Sequence, residues 1–295
     1  MIRSIISSMR LPFLILTPVC LFLAWSPVFS KGVDIQVHLF VLTFIGAVMA
    51  HISVNTLNEY LDFKSGIDLN TNRTAFSGGS GALPNNPEML KTIFTVGVVS
   101  LLITLLIGVF FIWTYGWQLF PIGMVGLILV IAYTRWINRY PWLCLIASGF
   151  GFGVLMTVGA HFAVTGFFND KLWLISLVSF FLVNNLLLLN QYPDIDADKA
   201  AGRNHFPIAY GVSASNAVYL VFLLLTMLVV ILGVLIDSLT NLSLIALLAI
   251  FPGFYALSGA IKFKEAIGQH SQYLAANVLV VLLVPVLLGI TILFG

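Results

Sequence analysis

Charge is what this sequence lacks: Asp, Glu, Lys and Arg make up 8% of its 295 residues, against 60% hydrophobic ones. That is far below the charged fraction a soluble surface carries, so a water-soluble globule is excluded. Cysteine is nearly absent, and Cys20 and Cys144 lie in separate apolar stretches with no ligand spacing between them. A disulfide framework and a thiolate metal centre are thereby excluded. No low-complexity tract or polar stretch of domain length occurs. The net charge of +2 is dispersed over short connections, so no nucleic-acid partner is expected.

Apolar runs of about 20 residues fill the sequence, long enough to cross a hydrocarbon core of roughly 30 Å as helices. They cover residues 11 to 29, 37 to 57, 91 to 113, 117 to 134, 142 to 166, 172 to 190, 214 to 236, 240 to 260 and 273 to 294. The expected fold is all-α, a polytopic membrane helical bundle of about nine transmembrane helices forming one transmembrane domain over 1–295. The first run also has the basic flank of a secretory signal, Arg3 and Arg10. It is long for one, however, and Val28-Phe29-Ser30 is a poor small-residue cleavage site, so it is taken as a span.

Lys and Arg concentrate in cytoplasmic loops. With the N-terminus inside, Arg3, Arg10, Lys64, Arg73, Lys91, Arg135, Arg139, Lys199, Arg203, Lys262 and Lys264 are cytoplasmic, and only Lys31 and Lys171 are outside. Nine spans then put the C-terminus outside.

Against this scarcity of charge, six of the eleven acidic residues fall in two segments that begin alike, Asn58-Glu59-Tyr60-Leu61-Asp62 and Asn190-Gln191-Tyr192-Pro193-Asp194. Both follow spans on the cytoplasmic side, the second and the sixth, whose helices run in the same direction; a parallel internal duplication is expected. Asn58 and Asp62, Asn190 and Asp194, and Asp194 and Asp198 are spaced i, i+4, one helix face if the helix continues past the membrane boundary. Gly66 can bend the chain and turn Asp68 back towards Asp62, and Pro193 can loosen the second helix. Stacked hard oxygens of this kind suit Mg²⁺, which joins one or two carboxylates to substrate phosphates and keeps water elsewhere. Two such clusters could hold one or two of these ions.

A site that held only metal would gain nothing from nearby cations, yet Lys64, Arg73, Lys199 and Arg203 flank the acids. A diphosphate needs both kinds of partner, since metal neutralises some oxygens while Lys and Arg bind others as the group departs. Ser77-Gly78-Gly79-Ser80-Gly81 could present backbone N–H groups to phosphate, although it is not a Walker sequence.

Other readings fit less well. Asp194-Ile195-Asp196-Ala197-Asp198 opens like a calcium-binding loop, but Lys199 stands where the loop needs Gly and His205 where it needs Glu. A cation-coupled transporter would place its carboxylates near the bilayer midplane rather than beside Lys and Arg at one surface. His51 and His161 are expected to be interhelical hydrogen-bonding residues rather than catalytic bases, and Tyr133, near the cytoplasmic end of the fourth span, is a weak acceptor-site candidate. The 24 Phe residues include rings that could stabilise a cation, without a sequence signal to separate them from packing rings.

The run Asn58-Glu59-Tyr60-Leu61-Asp62-Phe63-Lys64-Ser65-Gly66-Ile67-Asp68, with the second run from Asn190 through Asp194, Asp198 and Lys199 to Arg203, resembles the UbiA superfamily of intramembrane prenyltransferases. The likeness is closest to the 1,4-dihydroxy-2-naphthoate polyprenyltransferases of menaquinone synthesis. It implies a UbiA-like bundle with the motifs after helices two and six, Mg²⁺ as cofactor held by Asn58, Asp62, Asp68, Asp194 and Asp198, with Asp62 and Asp194 central to catalysis and Asp196 turned off that face, and an isoprenoid diphosphate and an aromatic acceptor as partners beside the lipid bilayer. It also implies transfer of the prenyl group through an allylic cation, in a bacterial inner (plasma) membrane. A UbiA-like terpene cyclase would share the metal site. Two departures stand out: Glu59 replaces a frequent Asp, and the Pro-rich turn and Gly-Leu-Gly-Glu run of the menaquinone branch are missing after Tyr133-Thr134.

Overall fold

The computed structural model describes residues 2–30, 32, 36–71 and 73–295; Lys31, expected on the outer side, lies outside the described residues. Eight helices within this range are long and apolar enough to cross a membrane: α1 (Leu11–Ser30), α2 (Val37–Ser65), α3 (Pro87–Tyr115), α5 (Pro141–Thr165), α6 (Asp170–Asn190), α7 (Phe206–Leu235), α8 (Asn241–Gln269) and α9 (Ser271–Phe294). The fourth expected span forms α4 (Trp117–Ala132), an apolar helix too short to count with the others. The architecture is thus an integral-membrane helical bundle close to the expected nine. Helices are the natural outcome, since a spanning segment must satisfy its own backbone polar groups.

The helices pack α2 on α3, α1 on α9, α6 on α7 and α8 on α9. The main core collects Leu182 and Val183 of α6, Tyr219 and Leu223 of α7, and Val280 and Val284 of α9, all buried. Polar side chains tie the same three helices. The Tyr219 hydroxyl donates to Asn277 Oδ1 at 2.8 Å, Asn277 Nδ2 to the Asn185 carbonyl at 3.2 Å, and Asn185 Nδ2 to the Tyr219 carbonyl at 3.0 Å. Such interhelical bonds contribute about 0.6 to 2 kcal/mol each in a membrane. In α5 the Gly149 N–H donates to Asn184 Oδ1 at 2.6 Å, and residues Phe150–Met156 widen into a π-helix beside it, a common device near functional sites.

The connections gather by end. Gly78 of the 66–86 connection donates to Asp194, Asn204 N–H donates to the Asn138 carbonyl at 3.0 Å, and Gly268 packs on Thr74 and Pro193. Both acidic motifs and most basic residues therefore share one end. At the other, Lys171 Nζ bonds the Asp237 carbonyl and Gly295 lies against Thr240.

Candidate active site

α2 runs unbroken to Ser65, which stacks Asn58 and Asp62 on one face, as their spacing requires. Asn58 Nδ2 donates to Asp62 Oδ2 at 2.9 Å and to Thr134 Oγ1 at 3.1 Å. Gly66, with φ of +81°, ends the helix in the left-handed region, where glycine alone carries no Cβ penalty. A one-turn helix, Ile67–Asn70, follows and returns Asp68 to the site, where it is 3% exposed.

The second motif departs from expectation. α6 stops at Asn190, and Asp194 caps a separate helix, Ile195–Ala200, so Asn190 and Asp194 do not share a continuous helix. Pro193 prevents a regular continuation because it has no N–H to donate. Asp194 and Asp198 do remain one turn apart, with Asp198 N–H donating to the Asp194 carbonyl at 2.8 Å. Asp196 is exposed.

Arg203 joins the motifs. Its guanidinium contacts Asp62 Oδ1 and donates to Asp198 Oδ1 at 2.8 Å, while His205 Nε2 pairs with Asp198 Oδ2 at 3.0 Å. Burial works against the guanidinium charge, but Asp62 and Asp198 outweigh it and raise the Arg203 pKa above its ordinary value. The Ser77–Gly81 run forms a strap across the site. Gly78 N–H donates to Asp194 Oδ2 at 3.0 Å, and a Cβ on Gly79 would stand 2.7 Å from Asp68 Oδ1. The strap's amides thus serve a protein carboxylate at Gly78 rather than facing open space.

Three oxygens of the two motifs find no hydrogen-bond partner among the described residues although buried: Asp68 Oδ2, Asn190 Oδ1 and Asp194 Oδ1. All three residues line one cavity of about 210 Å³ together with Asp62, Asp198 and Arg203. Buried acceptors without donors are costly unless a cation or water meets them. Burial first, then the neighbouring Glu59 and Asp62, push the Asp68 carboxyl up to about 7. Burial and Asp198 do the same to Asp194, also to about 7. No three His, Cys, Asp or Glu side chains among the described residues converge tightly enough to hold an ion unaided, and Arg203 pairs with both Asp62 and Asp198. That is compatible with Mg²⁺, which takes few protein oxygens and completes its shell with water and phosphate.

The polar cavity continues into a second, largely apolar one of about 400 Å³ between α2, α3, α4 and α5. Arg10, His51, Asn55, Asn58, Tyr133 and Phe152 line both. Gly108, Gly123 and Gly126 face this second space with no atom within 4 Å of where a Cβ would stand.

Several expected phosphate contacts lie elsewhere. Lys64 and Lys199 are exposed on the outward faces of their helices and line neither cavity; Lys64 Nζ sits 5.5 Å from the Tyr60 ring centroid instead. Arg73 donates to the Asp68 carbonyl at 3.1 Å and packs under Gly81, bracing the strap. Arg10, Asn190 and His205 join the site without having been singled out for it. Arg10 reads in sequence only as a topology-setting charge, and Asn190 shares a spacing with Asp194 without being named among the metal ligands.

Comparison with known proteins places the chain in a family. The UbiA prenyltransferase family matches residues 13–266. The chain belongs to the UbiA prenyltransferase family. Among its UbiA relatives, the 1,4-dihydroxy-2-naphthoate octaprenyltransferase of Bacillus subtilis (strain 168) is 31% identical over 189 residues, 61% of this chain; the chain spans 57% of that relative's length. The structure of a UbiA homolog from Archaeoglobus fulgidus bound to DMAPP and Mg²⁺ superposes with a TM-score of 0.70 at 14% identity, covering 99% of both chains. The apo structure of a UbiA homolog from Aeropyrum pernix K1 gives 0.68 at 16% identity, covering 91% of this chain and 95% of the other. These two likenesses establish a shared UbiA fold.

Proposed function

We propose that this chain is a Mg²⁺-dependent membrane prenyltransferase. It moves a prenyl group from an isoprenoid diphosphate to an aromatic acceptor, 1,4-dihydroxy-2-naphthoate or a related quinone precursor. The carrying observation is the junction of the two cavities: a ring of unpaired carboxylate and amide oxygens with arginines at its rim opens directly into an apolar chamber. A diphosphate with a hydrocarbon tail has those two halves in that order. The relatives point the same way, one being named for octaprenyl transfer to 1,4-dihydroxy-2-naphthoate and another bound to DMAPP and Mg²⁺.

Asn58, Asp62, Asp68, Asp194 and Asp198 would hold the metal, joined by Asn190, whose free Oδ1 faces the same cavity. Bound there, Mg²⁺ would neutralise diphosphate oxygens and favour their departure from the allylic carbon. Arg203 and Arg10 supply fixed positive charge to the leaving group at the cavity rim. The apolar walls exclude water, which would otherwise capture an allylic cation. Phe152 and Tyr133 present aromatic rings where the two cavities meet, placed to stabilise positive charge. Residues 1–295 act as one unit. The motif end faces the cytoplasm and the C-terminus the far side of a bacterial plasma membrane, an orientation supported by the basic residues gathered at the motif end.

The test is incubation of the purified protein with Mg²⁺, labelled prenyl diphosphates and a panel of aromatic acids. Mg²⁺-dependent diphosphate release with a prenylated ring is expected, and identifies the acceptor. Release with a cyclised hydrocarbon and no acceptor product would indicate a terpene cyclase; no release, with solute uptake into proteoliposomes, would replace the enzyme reading with transport.

A further inference from the structure

Glu59 belongs to the first motif but takes no part in the cavity it borders. It is fully buried, at 0% exposure, yet it lines neither cavity. Its carboxylate faces sideways and collects donors from two other segments: the Ser80 hydroxyl at 2.5 Å, the Ser80 backbone N–H at 3.1 Å and the Arg10 guanidinium at 3.4 Å. The Ser80 oxygen in turn accepts the Ala82 N–H at 3.1 Å. One and two residues back along the strap, Gly79 abuts the Asp68 carboxylate and Gly78 donates to Asp194. A continuous set of contacts therefore leads from Glu59 through Ser80 to carboxylates of both motifs.

The chemistry requires an acid here. A carboxylate accepts all three donors, and bonds to an ionised acceptor are roughly twice as strong as neutral ones. A glutamine could keep one oxygen on Arg10 and the Ser80 N–H and turn its NH₂ to the Ser80 hydroxyl oxygen, but these would be the weaker bonds of an uncharged group and Arg10 would lose its ionic partner. An aspartate would retract the oxygens by about 1.5 Å, one carbon–carbon bond, out of reach of the strap.

We propose that Glu59 is a positioning residue, which anchors the Ser77–Gly81 strap so that Asp68 and Asp194 keep their unpaired oxygens turned into the cavity and Arg10 stays at its rim. Its consequence for turnover rests on the prenyltransferase reading above; its consequence for the strap and for metal affinity does not.

The experiment uses the full-length protein in detergent or nanodiscs without substrate, comparing wild type, Glu59→Gln, Glu59→Asp and Ser80→Ala. Hydrogen exchange over residues 77–82 reports the strap, and titration with Mn²⁺ as a paramagnetic probe reports the cavity. Glu59→Gln should speed exchange in the strap and weaken Mn²⁺ binding by roughly 10- to 100-fold, the usual cost of losing an outer partner of a metal site. Ser80→Ala, which removes the same anchor from the other side, should move both readouts in the same direction, and Glu59→Asp, whose oxygens stop short of the strap, should move them at least as far as Glu59→Gln. Unchanged strap exchange in Glu59→Gln overturns the proposal, as does a loosened strap with wild-type Mn²⁺ affinity. A wild-type protein that binds Mn²⁺ but transfers no prenyl group would sink the prenyltransferase reading alone, and exchange and affinity would still decide the role of Glu59.

Discussion

Removing Arg203 should destabilise the metal-free protein far more than the metal-loaded one. The guanidinium is 16% exposed and bridges Asp62 and Asp198, whose side chains are 7% and 5% exposed. Arg203→Met keeps much of the side chain's volume and removes its charge, leaving two buried carboxylates facing each other with only Asn58 and His205 as neighbours on their other oxygens. Breaking a buried pair from one side typically costs about 3 to 5 kcal/mol. A divalent cation in the same cavity neutralises both acids, so most of that loss should return when Mg²⁺ is added. Thermal unfolding in detergent, with and without Mg²⁺, measures the difference. The Mg²⁺-induced stabilisation should be several-fold larger in Arg203→Met than in wild type, and Asp62→Asn in the same background should show non-additivity. A variant as stable as wild type without metal, or one that Mg²⁺ stabilises no more than wild type, would refute the reasoning.

Asp68 and Asp194, both raised to about 7, bind protons in the folded state at pH values where the unfolded chain has released them. Folding stability of the metal-free protein should therefore fall as pH rises towards about 7, and Mg²⁺ binding should expel protons near pH 6 but none near pH 9, as calorimetry in buffers of different ionisation enthalpy would show. Gly79→Ala places a Cβ 2.7 Å from Asp68 Oδ1 at a residue with φ of +75°; activity should drop roughly 10- to 100-fold, with helical circular dichroism retained. Gly126→Trp fills the apolar chamber, so the assay should show short prenyl diphosphates still used and long ones rejected. Lys64→Ala and Lys199→Ala, both at exposed positions off the cavity, should leave kcat/KM within about twofold of wild type, surface changes being generally mild.

Much of this arrangement is legible in the sequence because membrane helices obey few rules. Apolar runs mark the spans, and an i, i+4 spacing fixes a face as long as the helix lasts. Asn58 and Asp62 satisfy that condition because α2 reaches Ser65, and Gly66 signals the turn that recovers Asp68. The same rule fails at Asn190, where the helix ends beside Pro193. Lys64 and Lys199 show a second limit: proximity in sequence does not say which way a flexible cation points at a helix end. Arg10 and Glu59 show a third, since their partners are 49 residues apart and meet only when the N-terminal segment folds over α2. A lone arginine before an apolar run carries no sign of that contact. Nor does sequence reveal that Gly78 is committed to Asp194, a bond across 116 residues.

In the proposed function the paired motifs hold a prenyl diphosphate with Mg²⁺ and release its diphosphate. The most direct measurement is diphosphate released from a labelled prenyl diphosphate by the protein in lipid vesicles, with and without Mg²⁺, for wild type and Asp194→Asn. Release is expected from wild type in Mg²⁺ only, and none from Asp194→Asn although its fold persists. Release that is independent of Mg²⁺, or undiminished in Asp194→Asn, would contradict it.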